Sequence, residues 1–274
     1  MSKKVRKIIN IILVLALAVT LSIYGRSFVE NLRANKIYGD VKELAMGTAA
    51  DSDASEDDSA EKADTEEDEA IKNFTFTDPY VKTLTAIDLK ALQEVNPEVK
   101  GWISIPDTVI DFPIMQHEDN EYYLDYTWDN VKNIAGAIFF DSENAADMSD
   151  FNTLIYGHNM RNGTMFSVLE KYFRKNFLAE HPSIYVVTEG GVYKYNVYAA
   201  HRTEISTISF GMQIHTEPMR QEYIDFALDY SEIETDIIPT TEDSFLTLAT
   251  CSYSQSYRVV IQAVLDKEAS YIRE

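Results

Sequence analysis

One cysteine, Cys251, occurs in 274 residues. That scarcity excludes an intrachain disulfide and any zinc site built from several thiolates. Basic residues are also few: 24 Lys and Arg face 45 Asp and Glu, for a formal net charge of −21. A nucleic-acid binder needs a basic stripe to displace counterions from phosphates, so that class is excluded. No cysteine lies near the N-terminus, which excludes a lipid-modified start. Nothing repeats at a fixed period, and the carboxylates form no dedicated calcium loop. No metal and no other cofactor is expected. What the chain does hold is 45% hydrophobic and 12% aromatic residues, with 17 Tyr and 13 Phe. That is enough to bury a core, and aromatics of this abundance favour strands.

Charge divides the chain into three parts. Residues 1–50 carry a net charge of +5, residues 51–70 a net −10, and the remainder a net −16. Lys3, Lys4, Arg6 and Lys7 precede an uncharged run from Ile8 to Tyr24. Seventeen helical residues span about 25 Å, the short end for a bilayer core. The basic cluster marks the cytoplasmic side, so the body should lie outside the cell. A cleaved signal peptide ending at Ala16-Leu17-Ala18 is the competing reading. The apolar run continues through Leu21 and Ile23, which favours an uncleaved anchor. Residues 49–70 are acidic and low in complexity; they cannot bury enough apolar surface to offset chain entropy and are expected to be a disordered tether. The expected organisation is a basic tip and transmembrane anchor over 1–25, a stalk over 26–73, and a globular body over 74–274.

In that body Leu84, Ile87, Leu89, Leu92 and Val95 recur near helical spacing. This predicts a helix over 85–94, opened by a Thr85/Asp88 capping box and ended by Asn96-Pro97. Short apolar runs then alternate with turn signals. Strands are expected at Trp102–Ile105, Val109–Ile114, Ala137–Phe140, Thr153–Tyr156, Ile184–Thr188, Tyr193–His201, Ser244–Ala249 and Val259–Leu265. Gly190-Gly191 marks a hairpin between two of them. Phe166–Tyr172 and Met219–Tyr230 read as helices. Eight short strands with few long helices predict a mainly β barrel or sandwich.

Cys251 ends one of these strands, where a thiol can face a cleft. A lone free cysteine is also commonly just a small buried residue. Outside the cell, however, an unpaired thiol is a liability unless it is used. A nucleophilic cysteine needs a proton partner and a means of holding an oxyanion. Of the five histidines, His158 stands at a strand end behind Gly157, which permits a sharp turn. His117, His181, His201 and His215 sit in contexts that read as structural. Arg258 opens a strand seven residues after Cys251. If the two strands are adjacent, its guanidinium can reach the same cleft. Taken singly, His158 can equally be a hydrogen-bonded loop residue and Arg258 a surface ion-pair partner.

Together these residues resemble class B sortases, the membrane-anchored cysteine transpeptidases of Gram-positive bacteria. Thr247-Leu248-Ala249-Thr250-Cys251 fits the sortase signature Thr-Leu-x-Thr-Cys, and Arg258 follows as the family's arginine does. The stretch from Thr153 through Tyr156-Gly157-His158-Asn159-Met160 to Phe166 resembles the class B histidine motif. Asn96-Pro97-Glu98-Val99-Lys100-Gly101-Trp102-Ile103 and Asp119-Asn120-Glu121-Tyr122-Tyr123-Leu124 match upstream. Two departures are visible: Ala249 stands where many class B members have Ser, and the Cys251–Arg258 loop is short.

The resemblance covers roughly residues 80–266. It implies an eight-stranded β-barrel with an N-terminal helical extension and a helix inserted before the cysteine strand. It also implies Cys251 as nucleophile, His158 as general acid and base, and Arg258 as oxyanion and substrate stabiliser. Substrate contacts are implied at Thr250, Asn120, Leu124, Tyr223 and Ile224. The implied substrates are secreted proteins with a C-terminal sorting signal of the Leu-Pro-x-Thr-Gly or Asn-Pro-x-Thr-Asn kind. The acyl acceptor would be an amine of a cell-wall precursor or a pilin lysine. An exported cysteine protease that only hydrolyses shares the dyad, but no papain-like motif surrounds Cys251. A non-catalytic surface-binding protein on a degenerate barrel is opposed by the intact Cys251, His158 and Arg258.

Overall fold

The computed structural model describes residues 3–47, 66–204, 208–211, 214–251 and 257–273. Among these residues nine strands form in chain order: β1 (Val99–Ser104), β2 (Asp111–Met115), β3 (Ile138–Phe140), β4 (Asn152–Gly157), β5 (Ser183–Thr188), β6 (Gly191–Thr203), β7 (Phe245–Cys251), β8 (Arg258–Leu265) and β9 (Tyr271–Ile272). The first eight close on themselves in the order β5-β1-β2-β3-β4-β7-β8-β6, with β6 returning to β5. Closure leaves no exposed edge among them, which settles the barrel over the sandwich. The pairs β2–β3 and β4–β7 are parallel and the other barrel pairs antiparallel. All eight predicted strands are present. The ninth, only two residues long, pairs with β6 and carries no sequence signal.

The β5–β6 turn is tighter than Gly190-Gly191 suggested. Thr188 pairs with Gly191, so Glu189-Gly190 forms the loop. Gly191 has φ +131°, and a Cβ there would stand 2.1 Å from the Tyr271 carbonyl oxygen. Only glycine lets β9 approach this closely.

Among the described residues there are seven α-helices, α1 (Lys3–Ala45), α2 (Glu66–Asn73), α3 (Pro79–Leu84), α4 (Leu89–Val95), α5 (Tyr122–Asp125), α6 (Lys175–Glu180) and α7 (Glu217–Tyr230), and 3-10 stretches at Phe166–Phe173 and Ile208–Phe210. The helix expected over 85–94 begins only at Leu89, as α4, and residues 85–88 link it to α3, which ends at Leu84. Thr85 caps the C-terminus of α3, its hydroxyl donating to the Lys82 carbonyl, while Asp88 alone caps α4 by accepting from Ala91 N. The capping box is therefore absent: Thr85 and Asp88 serve different helices. The expected disorder also needs correction at its end. Residues 49–65 lie outside the described residues, but 66–70 belong to α2, whose Ile71 packs against the barrel core.

The stretch 26–45, expected as stalk, continues α1 without a break. Ala34, Tyr38, Val41 and Ala45 recur at helical spacing and are buried against the barrel. Tyr38 Oη donates to the Gly136 carbonyl at 2.5 Å, Asn133 Nδ2 donates to the Glu30 carbonyl at 3.1 Å, and Lys42 pairs with Asp111. A second apolar cluster forms where α7 covers β6 and β7, around Tyr198, Tyr223, Ile224, Ala227 and Phe245.

Candidate active site

Three adjacent strands bring the predicted chemistry together. In the parallel β4–β7 pair the last partners are Gly157 and Thr250; in the antiparallel β7–β8 pair they are Cys251 and Arg258. Positions 158, 251 and 258 thus lie at one end of neighbouring strands, where paired Cα atoms stand about 5 Å apart. The Cys251 side chain and the loop Ser252–Ser256 lie outside the described residues. Arg258 is half-buried at the opening of β8.

Beside that end is a recess of about 140 Å³ lined by Asn120, Leu124, Tyr156, His158, Thr250 and Arg258, with Phe139 and Phe210 as aromatic walls. Thr250 is buried, and its hydroxyl has no partner among the described residues. His158 Nε2 lies 2.7 Å from the Leu124 carbonyl oxygen. A carbonyl can only accept, so Nε2 carries a proton, and Nδ1 is the nitrogen left to gain or lose one.

Gly157 precedes His158 for a reason other than the expected turn. Its φ is not left-handed. A Cβ there would stand 2.5 Å from Ile138 Cδ1 and 2.8 Å from the Phe166 ring. The glycine makes room for these two buried side chains beneath the end of β4.

Not every predicted contact reaches the recess. Tyr223 and Ile224 are fully buried in the cluster under α7, and Tyr223 Oη bonds Thr247 Oγ1 at 2.8 Å and Asn152 Oδ1 at 3.1 Å. Neither lines the recess; they hold α7 to the barrel. The α7 residues that do face a cavity are Met219 and Glu222. They line a cleft of about 500 Å³ that adjoins the recess at Asn120 and Phe210. Sequence reasoning also missed Tyr156, although it stands inside the histidine motif, and the carbonyl of Leu124, which carries no sequence signal.

Three other histidines have structural partners. His117 Nδ1 meets Glu98 at 2.8 Å, His181 Nδ1 the Pro106 carbonyl at 2.9 Å, and His201 Nε2 the Ser209 hydroxyl at 2.9 Å. Burial pushes His201 down to about 4, so it is neutral at pH 7. Among the described residues no group of His, Cys, Asp and Glu is arranged to hold a metal.

A strand-end cysteine position flanked on its neighbours by a histidine and an arginine, on a closed eight-stranded barrel, defines a sortase-type cysteine transpeptidase. Residues 103–266 match the model of the sortase domain, and the chain belongs to that family. Its relatives lie in the class B branch. It is 35% identical to sortase B of Listeria monocytogenes over 181 residues, which are 65% of this chain and 74% of that one. Among solved structures it is similar to a sortase B–substrate complex from Staphylococcus aureus, with 29% identity and a TM-score of 0.62 over 65% of this chain and 83% of that one. A Bacillus anthracis sortase B in complex with AAEK1 matches 87% of this chain and 98% of its own, with 26% identity and a TM-score of 0.67.

Proposed function

We propose that this transpeptidase is held in the cell membrane by the first half of α1, with its catalytic domain outside the cell. It cleaves a C-terminal sorting motif after its threonine and passes the acyl group to an amine of a cell-wall precursor or pilin. The observation that carries the reading is the recess itself, in which His158, Thr250 and Arg258 converge beside the end of the Cys251 strand. In this reading the Cys251 thiolate attacks the threonine carbonyl carbon, and the C–S bond forms as the oxyanion develops. Arg258 holds that charge with its planar fork of donors, and the unspent Thr250 hydroxyl adds a further donor. As the C–N bond breaks, His158 gives the proton on Nδ1 to the leaving amine. The thioester then meets the acceptor amine, which loses a proton to the same nitrogen as the new amide forms and the thiolate leaves. The Leu124 carbonyl keeps the ring oriented through both proton transfers. Asn120 and the Leu124 side chain line the path of the peptide.

Membrane anchoring is supported by the lipid-like surface of α1. None of its most apolar window is buried against the protein, and Ile11, Ile12, Leu13, Val14 and Leu15 are all exposed. A contiguous apolar face of that size is untenable in water. The basic residues before it support a cytoplasmic N-terminus.

The test uses the full chain in detergent with a panel of sorting-motif peptides, with and without an amine acceptor, beside Cys251→Ala. Mass spectrometry reads cleavage and transfer products. The expected result is a product that requires the acceptor amine and is absent in Cys251→Ala. Cleavage that ignores every acceptor would make the protein a protease. No cleavage of any peptide would leave a binding protein on a sortase barrel.

A further inference from the structure

We propose that Asp141 is a positioning residue that fixes the carboxamide of Asn120 so that it offers the bound sorting peptide a hydrogen-bond donor and never an acceptor. Asp141 follows β3 directly and is only 5% exposed. Its backbone N–H donates to the Leu154 carbonyl at 2.9 Å, which continues the β3–β4 ladder and fixes where the side chain starts. Oδ1 accepts from the Glu143 backbone N–H at 3.0 Å. Oδ2 accepts from Asn120 Nδ2 at 2.9 Å and from Tyr156 Oη at 3.0 Å. The carboxylate is therefore engaged on both oxygens, and all three donors come from different parts of the chain.

Asn120 is held from the other side as well. Its Oδ1 accepts from the Ser142 backbone N–H at 2.8 Å. An amide has two N–H donors and one carbonyl. Here the carbonyl is spent on Ser142 and one N–H on Asp141. Rotating the amide by half a turn would set its NH2 against the Ser142 N–H and its oxygen against the carboxylate, so that both contacts become repulsive. The orientation is thus dictated by the partners. The second N–H has no protein partner among the described residues, and Asn120 borders both the recess beside His158 and the adjoining cleft. That hydrogen is the group presented to the substrate, and its complement is a carbonyl oxygen of the peptide. Tyr156, sharing Oδ2, braces the carboxylate from the strand that leads into His158.

This rests on the sortase reading of the site, and the experiment separates the two. Full-length protein is assayed for peptide acylation (kcat and KM), and in parallel for alkylation of Cys251 by iodoacetamide. Asp141→Asn keeps the shape but presents an NH2 to either Glu143 N–H or the Asn120–Tyr156 pair, which frees the Asn120 amide to turn. It is made alone and on an Asn120→Ala background, with Tyr156→Phe as a milder second variant. The expected result is a fall of at least about tenfold in kcat/KM for Asp141→Asn, carried mainly by KM. On the Asn120→Ala background the further loss should be under about threefold. Iodoacetamide alkylation should stay at the parent rate throughout, because the small reagent needs no amide donor. Tyr156→Phe should lose about two- to fivefold. Equal losses on both backgrounds, a loss of alkylation that parallels the loss of acylation, or no loss at all would overturn the role given to Asp141. A parent enzyme that is alkylated but never acylated by any peptide would instead overturn the reading on which it rests.

Discussion

Replacing Gly157 by alanine adds one methyl group at the point where fold and chemistry meet. That methyl would arrive 2.5 Å from Ile138 Cδ1 and 2.8 Å from the Phe166 ring. Both neighbours are fully buried, so neither can swing into solvent. Overpacking of this kind costs about 1–3 kcal/mol. With about 2–4 °C of Tm per kcal/mol for a domain near 200 residues, a loss of about 2 kcal/mol lowers Tm by about 4–8 °C. The cheapest relief is for the end of β4 to lift away from Ile138, which carries His158 with it and pulls Nε2 off the Leu124 carbonyl. A displacement of about 1 Å costs on the order of 100-fold in rate. Gly157→Ala should therefore lose both melting temperature by scanning fluorimetry and acylation rate by mass spectrometry. The control is Gly39→Ala, at an exposed position of α1 where an added Cβ meets nothing within 4 Å. It should leave acylation unchanged and gain up to about 1 kcal/mol of helix stability. If Gly157→Ala melts and acylates like the parent, the packing beneath β4 does not position His158, and the reasoning fails.

Two further outcomes follow from other parts of the molecule. Arg258→Lys should lose most acylation at unchanged Tm, because an ammonium point charge cannot reproduce the guanidinium fork; near-normal turnover would demote Arg258 to a structural role. His201 should make stability pH-dependent. Its folded value is pushed down to about 4 by burial, against about 6.5 in the unfolded chain. Between those values the unfolded chain binds more protons, so stability is complete above about pH 6.5 and falls as the pH drops toward 4. At pH 5 the loss is about 2 kcal/mol. Urea melts of His201→Gln should be flatter across that window, and a parent-like slope would place the dependence elsewhere.

Much of this was readable in the sequence because it depends on local signals. The eight barrel strands are apolar runs between turn residues, and Cys251 and Arg258 fall opposite one another because both stand at strand ends. The failures share a physical origin in packing between distant segments. Thr85 and Asp88 have the spacing of one capping box but cap two helices, since Thr85 turns back to the Lys82 carbonyl. The resemblance implies substrate contacts at Tyr223 and Ile224, whereas folding buries both where α7 covers the barrel. Their own pattern with Ala227, an i, i+1, i+4 apolar face, already marked them as core. The acidic stretch conceals a helix over 66–73 because Ile71 finds a partner only in the assembled barrel. Gly157 reads as a turn signal, and only its distance to Ile138 and Phe166 reveals a packing constraint. Asp141 has no motif at all; its role comes from three donors that meet only after folding.

The central claim is that an acyl group of a sorting peptide passes through a thioester on Cys251. The most direct test is to quench the full-length enzyme with a sorting peptide in acid, before any acceptor amine is added, and to map the adduct by intact and tryptic mass. The account predicts a mass increase equal to the peptide acyl fragment ending in threonine, carried on Cys251 and discharged by hydroxylamine. An adduct on another residue, or turnover without any hydroxylamine-sensitive adduct, would contradict it.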